Sequence, residues 1–249
     1  MEAGRPQERE ASIVLVGDFD PLMLVPQWFV NQGLLPPEDL RQNLTIEIIY
    51  KELTRFTLPN IVVEVSPTKL LLRSDIQSID FQIVDMAVGV LSALPKVKIT
   101  AVGLNLQEDY YIEDRKVWDG VGDLLVPKKF WYDLVPGSPK TGLAKLQMQV
   151  SKPELNQVSK SEANKGYYNF SVIWLDKPGW TRFQTNDHYD SNESSLAKGK
   201  KYELVTSKNA KFDALSVIMS GWESSRDFHL KAVKSILDNA AGAYYHGHG

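Results

Sequence analysis

Cysteine is absent from all 249 residues. That removes disulfides, thiolate nucleophiles and cysteine-built zinc or iron–sulfur centres. It also suits a reducing interior, so a cytoplasmic setting is expected. Long hydrophobic runs are missing too. No stretch approaches the roughly 18–20 apolar residues that cross a bilayer, and no membrane partner is expected. The opening MEAGRPQERE is charged and lacks the apolar centre of a secretory signal. Neither sign of charge dominates. Lys plus Arg number 28 against 31 Asp plus Glu, a net charge of −3, which gives no global pull toward nucleic acid. The G-x-S-x-G elbow, the Walker P-loop and H-E-x-x-H are absent as well. No catalytic residue is assigned on these grounds, and no cofactor is expected.

What is present is an ordinary globular balance, 43% apolar and 24% charged, in a chain able to bury one large core or two small ones. Residues 1–11 read as a disordered tail. SIVLVGDF (12–19) is rich in β-branched residues and predicts a strand. Asp20-Pro21 then fits an N-cap followed by the first helical position. Leu24, Trp28 and Phe29 follow at helical spacing, Pro26 shortens or kinks the helix, Gly33 suits the position after its end, and Pro36-Pro37 stop it. Leu44, Ile46, Ile48 and Tyr50 alternate with Thr45, Glu47, Ile49 and Lys51. IVVEV (61–65) and KLLLR (69–73) flank the turn Ser66-Pro67-Thr68. DFQIVDMAVGVLSALP (80–95) changes to helical period, with Phe81, Val84, Val88, Leu91 and Leu94 on a broad apolar face joined by Ile83, Ala87 and Val90. VKITAVGLNL (97–106) returns to a strand.

Residues 111–141 read as a connection with a short helix near KKFWYDL. The second half repeats the grammar of the first: strands at LAKLQMQVS (143–151), YYNFSVIWL (167–175), TRFQTNDHYD (181–190) and KYELVTS (201–207), with a polar loop before the last. A long helix, or two abutting ones bent near Gly221, follows. Its stripes are Leu215, Ile218, Met219 and Trp222, then Leu230, Val233, Ile236 and Leu237. The fold class is therefore α+β: two strand-rich halves (12–110 and 142–239) with mainly antiparallel sheets, each followed by an amphipathic helix, and a loose tail at 240–249.

Three stretches have residues suited to chemistry. Gly17-Asp18-Phe19-Asp20-Pro21 resembles the start of the nucleotidylyltransferase motif, but Met23 and Val25-Pro26 stand where its phosphate-holding histidines belong. A D-x-D phosphatase would need regular strand–helix alternation, which this chain lacks, so Asp20 is read as a cap. Asp187, His188 and Asp190 are the densest metal-ligand set. Strand parity puts Phe183, Thr185, Asp187 and Tyr189 on one face and Arg182, Gln184, His188 and Asp190 on the other. That makes Asp187 a partly buried carboxylate in need of a partner. His229, beside the last apolar stripe, reads as a hydrogen-bonded packing residue. Trp131, Tyr132, Tyr167, Trp174 and Trp180 stand out among the aromatics as binding candidates, for a protein interface or, with flanking lysines, for stacking single-stranded bases.

The segment KITAVGLNLQEDYY, following IVVEV and DFQIVDMAVGVLSALP, resembles the middle of a sporadically distributed prokaryotic family of unknown function, where an hGLxY-type strand follows the first helix. FQTNDHYD before a long helix near Phe212 is similar to that family's second half. The sequence departs from the pattern at Asn105-Leu106, and the resemblance carries over no active-site residue. Its patchy distribution implies a phage-defence or mobile-element setting. The expected function is a non-catalytic binding or assembly protein working through a protein partner or as a homo-oligomer. The alternatives are a metal-dependent hydrolase at Asp187, His188 and Asp190, and a single-stranded nucleic-acid binder.

Overall fold

The computed structural model describes residues 5–42, 44–134, 141–152, 166–191 and 212–246. The strand expected at 201–207, nearly all of the polar loop before it, and the first and last few residues lie outside these. The first strand, β1 (Glu8–Gly17), is flanked by β5 (Lys69–Ser74) on one side and β6 (Ile99–Tyr111) on the other. Beyond β5 come β4 (Ile61–Ser66), β3 (Leu53–Leu58) and β2 (Thr45–Tyr50). Beyond β6 come β9 (Trp180–Asp190), β8 (Gly166–Trp174) and β7 (Lys145–Ser151). The result is one nine-stranded sheet in the order β2-β3-β4-β5-β1-β6-β9-β8-β7, antiparallel at every step.

The α+β class expected from the pattern is the one observed, and both halves are antiparallel. Their two sheets are continuous, however. In each half the leading strand pairs with the last, β1 with β5 and β6 with β9, and the two leading strands then pair with each other through Ile13↔Leu104. That join leaves neither leading strand as a bare edge. Chain order groups β6 with the first half, whereas its pairing makes it the start of the second. β1 begins at Glu8, inside the stretch expected to be a tail, because residues 8–11 pair with 106–109.

Among the described residues there are six α-helices: α1 (Pro26–Asn31), α2 (Asp39–Gln42), α3 (Asp80–Ala93), α4 (Arg115–Leu125), α5 (Lys129–Leu134) and α6 (Ala214–His246). Asp20 caps a turn instead of a helix. Its carboxylate accepts from the Leu22 amide at 2.9 Å, and α1 starts later, with Pro26 at the first turn where no amide is missed. Gly17 sits against the next strand, where a Cβ would lie 2.4 Å from the Lys98 carbonyl, so the glycine of GDFDP is a packing requirement. Gly33 takes φ +70, the left-handed position after α1.

α1, α3, α4 and α6 pack on one face of the sheet. Ile13, Leu15, Phe56, Val63, Leu72, Leu104 and Trp222 form one core cluster with α1, α3 and the start of α6. Phe183, Val172, Val121, Val233 and Leu237 form a second with α4 and the later part of α6. The buried arc of α3 is Ile83, Met86, Ala87, Val90 and Leu91. Phe81, expected on that face, is 52% exposed because it falls outside the arc. α6 is one helix through residue 246, past the tail expected from 240. Met219 and Leu230 turn outward, and a single buried stripe runs through Val217, Ile218, Trp222, Ser225, His229, Val233, Leu237 and Ala240. The polar Ser225 and His229 in mid-stripe make it read as two in the sequence.

Candidate functional site

Strand parity decides the metal candidates. Along β9, Thr181, Phe183, Thr185, Asp187 and Tyr189 are buried toward the helices, while Arg182, Gln184, Asn186, His188 and Asp190 are half-buried on the other face. His188 Nε2 lies 3.7 Å from Asp190 Oδ2. Asp187 is on the far side of the sheet from both, so the trio does not converge. Among the described residues, no group of three or more His, Cys, Asp or Glu residues is placed to hold a metal ion.

Asp187 is fully buried and finds the partner a buried carboxylate needs. The Lys152 ammonium lies 2.7 Å away and the Tyr189 hydroxyl donates at 3.2 Å. The same ammonium stands over the rings of Tyr189 and Tyr168, at 3.9 and 4.5 Å from their centroids, and also contacts the Tyr189 hydroxyl. Burial pushes the Asp187 carboxyl up to about 6, with Lys152 and Tyr189 pulling the other way. Burial lowers Lys152, opposed by Asp187. The two form a closed pair, a cation in a box of its own chain's making.

A second buried polar group joins β6, β9 and α6. His229 Nδ1 lies 2.8 Å from Thr185 Oγ1, its Nε2 lies 3.4 Å from Glu108 Oε2, and the Tyr110 hydroxyl donates to Glu108 at 2.8 Å. A hydroxyl, an imidazole and a carboxylate in that order match the layout of an activated nucleophile. Here Thr185 and His229 are each 1% exposed, so no reactant meets them. Burial works against ionisation of Glu108, but His229, Tyr110 and Arg9 outweigh it and hold the carboxyl below its ordinary value. This group braces α6 to the sheet. Arg9 braces α3 similarly, through paired 2.9 Å contacts to the buried Asp80.

The face that these helices leave uncovered has a different composition. Asn105 and Gln107 project from β6, Gln184 and Asn186 from β9, Asn169 and Ser171 from β8, and Gln147 from β7. With Ser12 of β1 they line a cavity of about 360 Å³. Asn105 donates to Ser12 at 3.3 Å, and Gln107 pairs with Gln184 at 2.6 Å. Asn186 Oδ1 is buried and accepts no hydrogen bond from the described residues. A larger depression of about 790 Å³ along residues 5–10 shares Glu10 and Gln107 with it, extending the polar surface. Aromatic pairs stand at the margins: Tyr167 against His188 at 5.1 Å between centroids, and Tyr111 against Trp180 at 5.9 Å. On this face Arg182 is held by Asp109 at 2.7 Å, Lys69 by Glu64 at 2.9 Å and Arg73 by Glu10 at 3.2 Å, and Lys145 of β7 also lines the cavity.

The five aromatic candidates do not gather in one place. Trp131 and Tyr132 are half-exposed on α5. Tyr167 and Trp180 lie on the uncovered face. Trp174 points to the helix side, in the second core cluster and 6.3 Å from Trp118. The amide set was missed by sequence reading. Its signal is there, as amides two residues apart at Asn105/Gln107, Gln147/Gln149 and Gln184/Asn186, but only the strand order shows that they are neighbours. No protein-family model matches the chain, and no curated protein matches it.

Proposed function

We propose that this protein is a non-catalytic binding protein that engages a protein partner through the amide-rich face of its sheet. One observation supports the reading above the rest: amide and hydroxyl side chains from β1, β6, β7, β8 and β9 line one cavity, and a buried acceptor, Asn186 Oδ1, has no partner among the described residues. A carboxamide carries both donors and acceptors, as a peptide group does. Same-face residues on a strand repeat about every 6.8 Å and strands lie about 4.8 Å apart. An extended polypeptide laid along β6 and β9 has the same repeat, so its peptide groups meet the amides in step. Arg182, Lys69 and Arg73 are paired with carboxylates, and the cavity lining is mainly amide and hydroxyl with Lys145 among it, a balance that favours protein over single-stranded nucleic acid. The defence or mobile-element setting implied by the family resemblance suits such a component.

The test is affinity capture from the native cell, using the wild type and an Asn105→Ala/Asn186→Ala variant whose melting temperature is checked. The expected result is a protein partner bound by the wild type and weakened about tenfold or more by the variant, since each lost buried hydrogen bond is worth about 1 kcal/mol. Equal recovery by both contradicts the reading. Oligonucleotide binding that falls steeply with salt transfers the function to nucleic acid. Stoichiometric metal that is lost in His188→Ala transfers it to a metal-dependent hydrolase.

A further inference from the structure

Lys152 follows directly on the paired part of β7 and β8, whose register ends at Ser151↔Tyr167. Its side chain nevertheless reaches β9. Val150, Tyr168 and Asp187 stand in one row across β7, β8 and β9, and the Lys152 ammonium lies over the Tyr168 ring on its way to the Asp187 carboxylate. The ion pair is thus a strap across β8. Little else on its helix side secures β7. Among the described strands it ends the sheet, paired with β8 alone, and its helix-side residues Met148 and Val150 are 52% and 38% exposed. The surroundings of Asp187 are otherwise uncharged. β9 brings Tyr189, β8 Tyr168, β6 Leu104, and α6 Gly221, Ser224 and Phe228, the last stacked on Tyr168. Glu223 and Asp227 of α6 are exposed, and His229 is turned to Thr185 and Glu108. Among the described residues, the one charge acting on Asp187 is Lys152, and the one acting on Lys152 is Asp187.

We propose that this strap is a proton-operated release: when Asp187 takes up a proton, Lys152 leaves the tyrosine box and the end of β7 comes away from β8. Lys152 holds the Asp187 carboxyl lower than burial alone would set it. By reciprocity, a proton on Asp187 weakens the hold on Lys152. Leu104, Tyr168 and α6 still cover Asp187 once the lysine has gone, and a neutral carboxyl is at ease there. A desolvated ammonium facing only the rings of Tyr168 and Tyr189 is not. Its escape is short, because the Lys152 side chain is already 18% exposed and has a flexible stem. Burial places the Asp187 carboxyl at about 6, so the release operates under mild acid. Gln147 of the same strand lines the amide cavity, and the release therefore also alters that surface. The release itself does not depend on what the cavity binds.

Backbone hydrogen exchange read by mass spectrometry at about pH 7.5 and about pH 5, with times scaled to the intrinsic rate, tests the strap directly. Residues 145–151 of the wild type should lose roughly tenfold in protection at the lower pH, since each pH unit below the folded value shifts the equilibrium by up to about tenfold. Residues 99–111, in the middle of the sheet, should keep theirs. Asp187→Asn, neutral at both pH values, should show the open rate at both. Lys152→Met has no charge to expel and should lose no protection on acidification. Should Asp187→Asn fail to fold, the wild type and Lys152→Met decide the matter. Equal protection of 145–151 at the two pH values in the wild type would overturn the proposal. So would a loss shared by 99–111, or one that persists in Lys152→Met.

Discussion

Asp187 shows how one residue's chemistry is set by its neighbours. A carboxylate without water ionises at a cost unless a cation stands beside it, and Lys152 is that cation at 2.7 Å. Its folded pKa, about 6, is raised above its ordinary value. Such a group contributes stability that is present at low pH and lost as pH rises through the folded value. Lys152 limits that loss. Replacing it by methionine should therefore cost about 3–5 kcal/mol near pH 8 and much less near pH 5, where Asp187 takes up a proton. Urea unfolding at the two pH values measures this, and a cost independent of pH would contradict it. Glu108 behaves in the opposite sense. Its carboxyl is held below the ordinary value, so its contribution is present above about pH 4.5 and lost as pH falls below it. The stability of Glu108→Gln should accordingly change less with pH across that acid range than that of the wild type. A steeper change would count against the brace. The need of Asp187 for a partner was readable from its place between aromatics. The partner's identity was not, because Lys152 is 35 residues away in sequence.

At the scale of elements, what the sequence revealed depended on whether the signal was local. Alternation in 143–151, 167–175 and 181–190 sets faces without outside help, and β7, β8 and β9 follow it. β3 escaped notice because the turn before it is Lys51-Glu52, with neither glycine, asparagine nor proline to mark it. α4, RKVWDGVGDLL, escaped because two glycines and four charges weaken its helical signal. It is held by packing, with Val117 and Val121 against Val233 and Leu237 of α6. The helix cap expected at Asp20 became a turn cap for a related reason: Pro26 offers a helix start one turn later. Gly17→Ala should cost about 1–3 kcal/mol, because its Cβ would lie 2.4 Å from the backbone carbonyl of Lys98, which cannot turn aside as the end of a side chain can. Phe56→Ala, which removes a fully buried ring in edge-to-face contact with Phe29, should cost about 3–5 kcal/mol. Thermal or urea unfolding measures both, and a near-neutral Gly17→Ala would mean that the strand shifts to accept it.

On the scale of the whole molecule, the join of β1 to β6 turns two antiparallel halves into one sheet with a helix-covered face and a polar one. No local pattern states which strands are neighbours, so amides visible singly in the sequence became a surface only once β6, β9 and β8 stood side by side. Among the described strands, the same join leaves β2 and β7 at the two ends of the sheet. Among the described residues no helix is long and apolar enough to cross a membrane. The most direct measurement places a photo-crosslinking residue at Gln107, on the polar face, or at Met219, exposed on the outer side of α6. Exposed to native-cell extract, the protein labelled at Gln107 should capture a partner polypeptide that the protein labelled at Met219 does not. Capture from Met219 alone would show that the working surface is the helical side and would contradict the assignment.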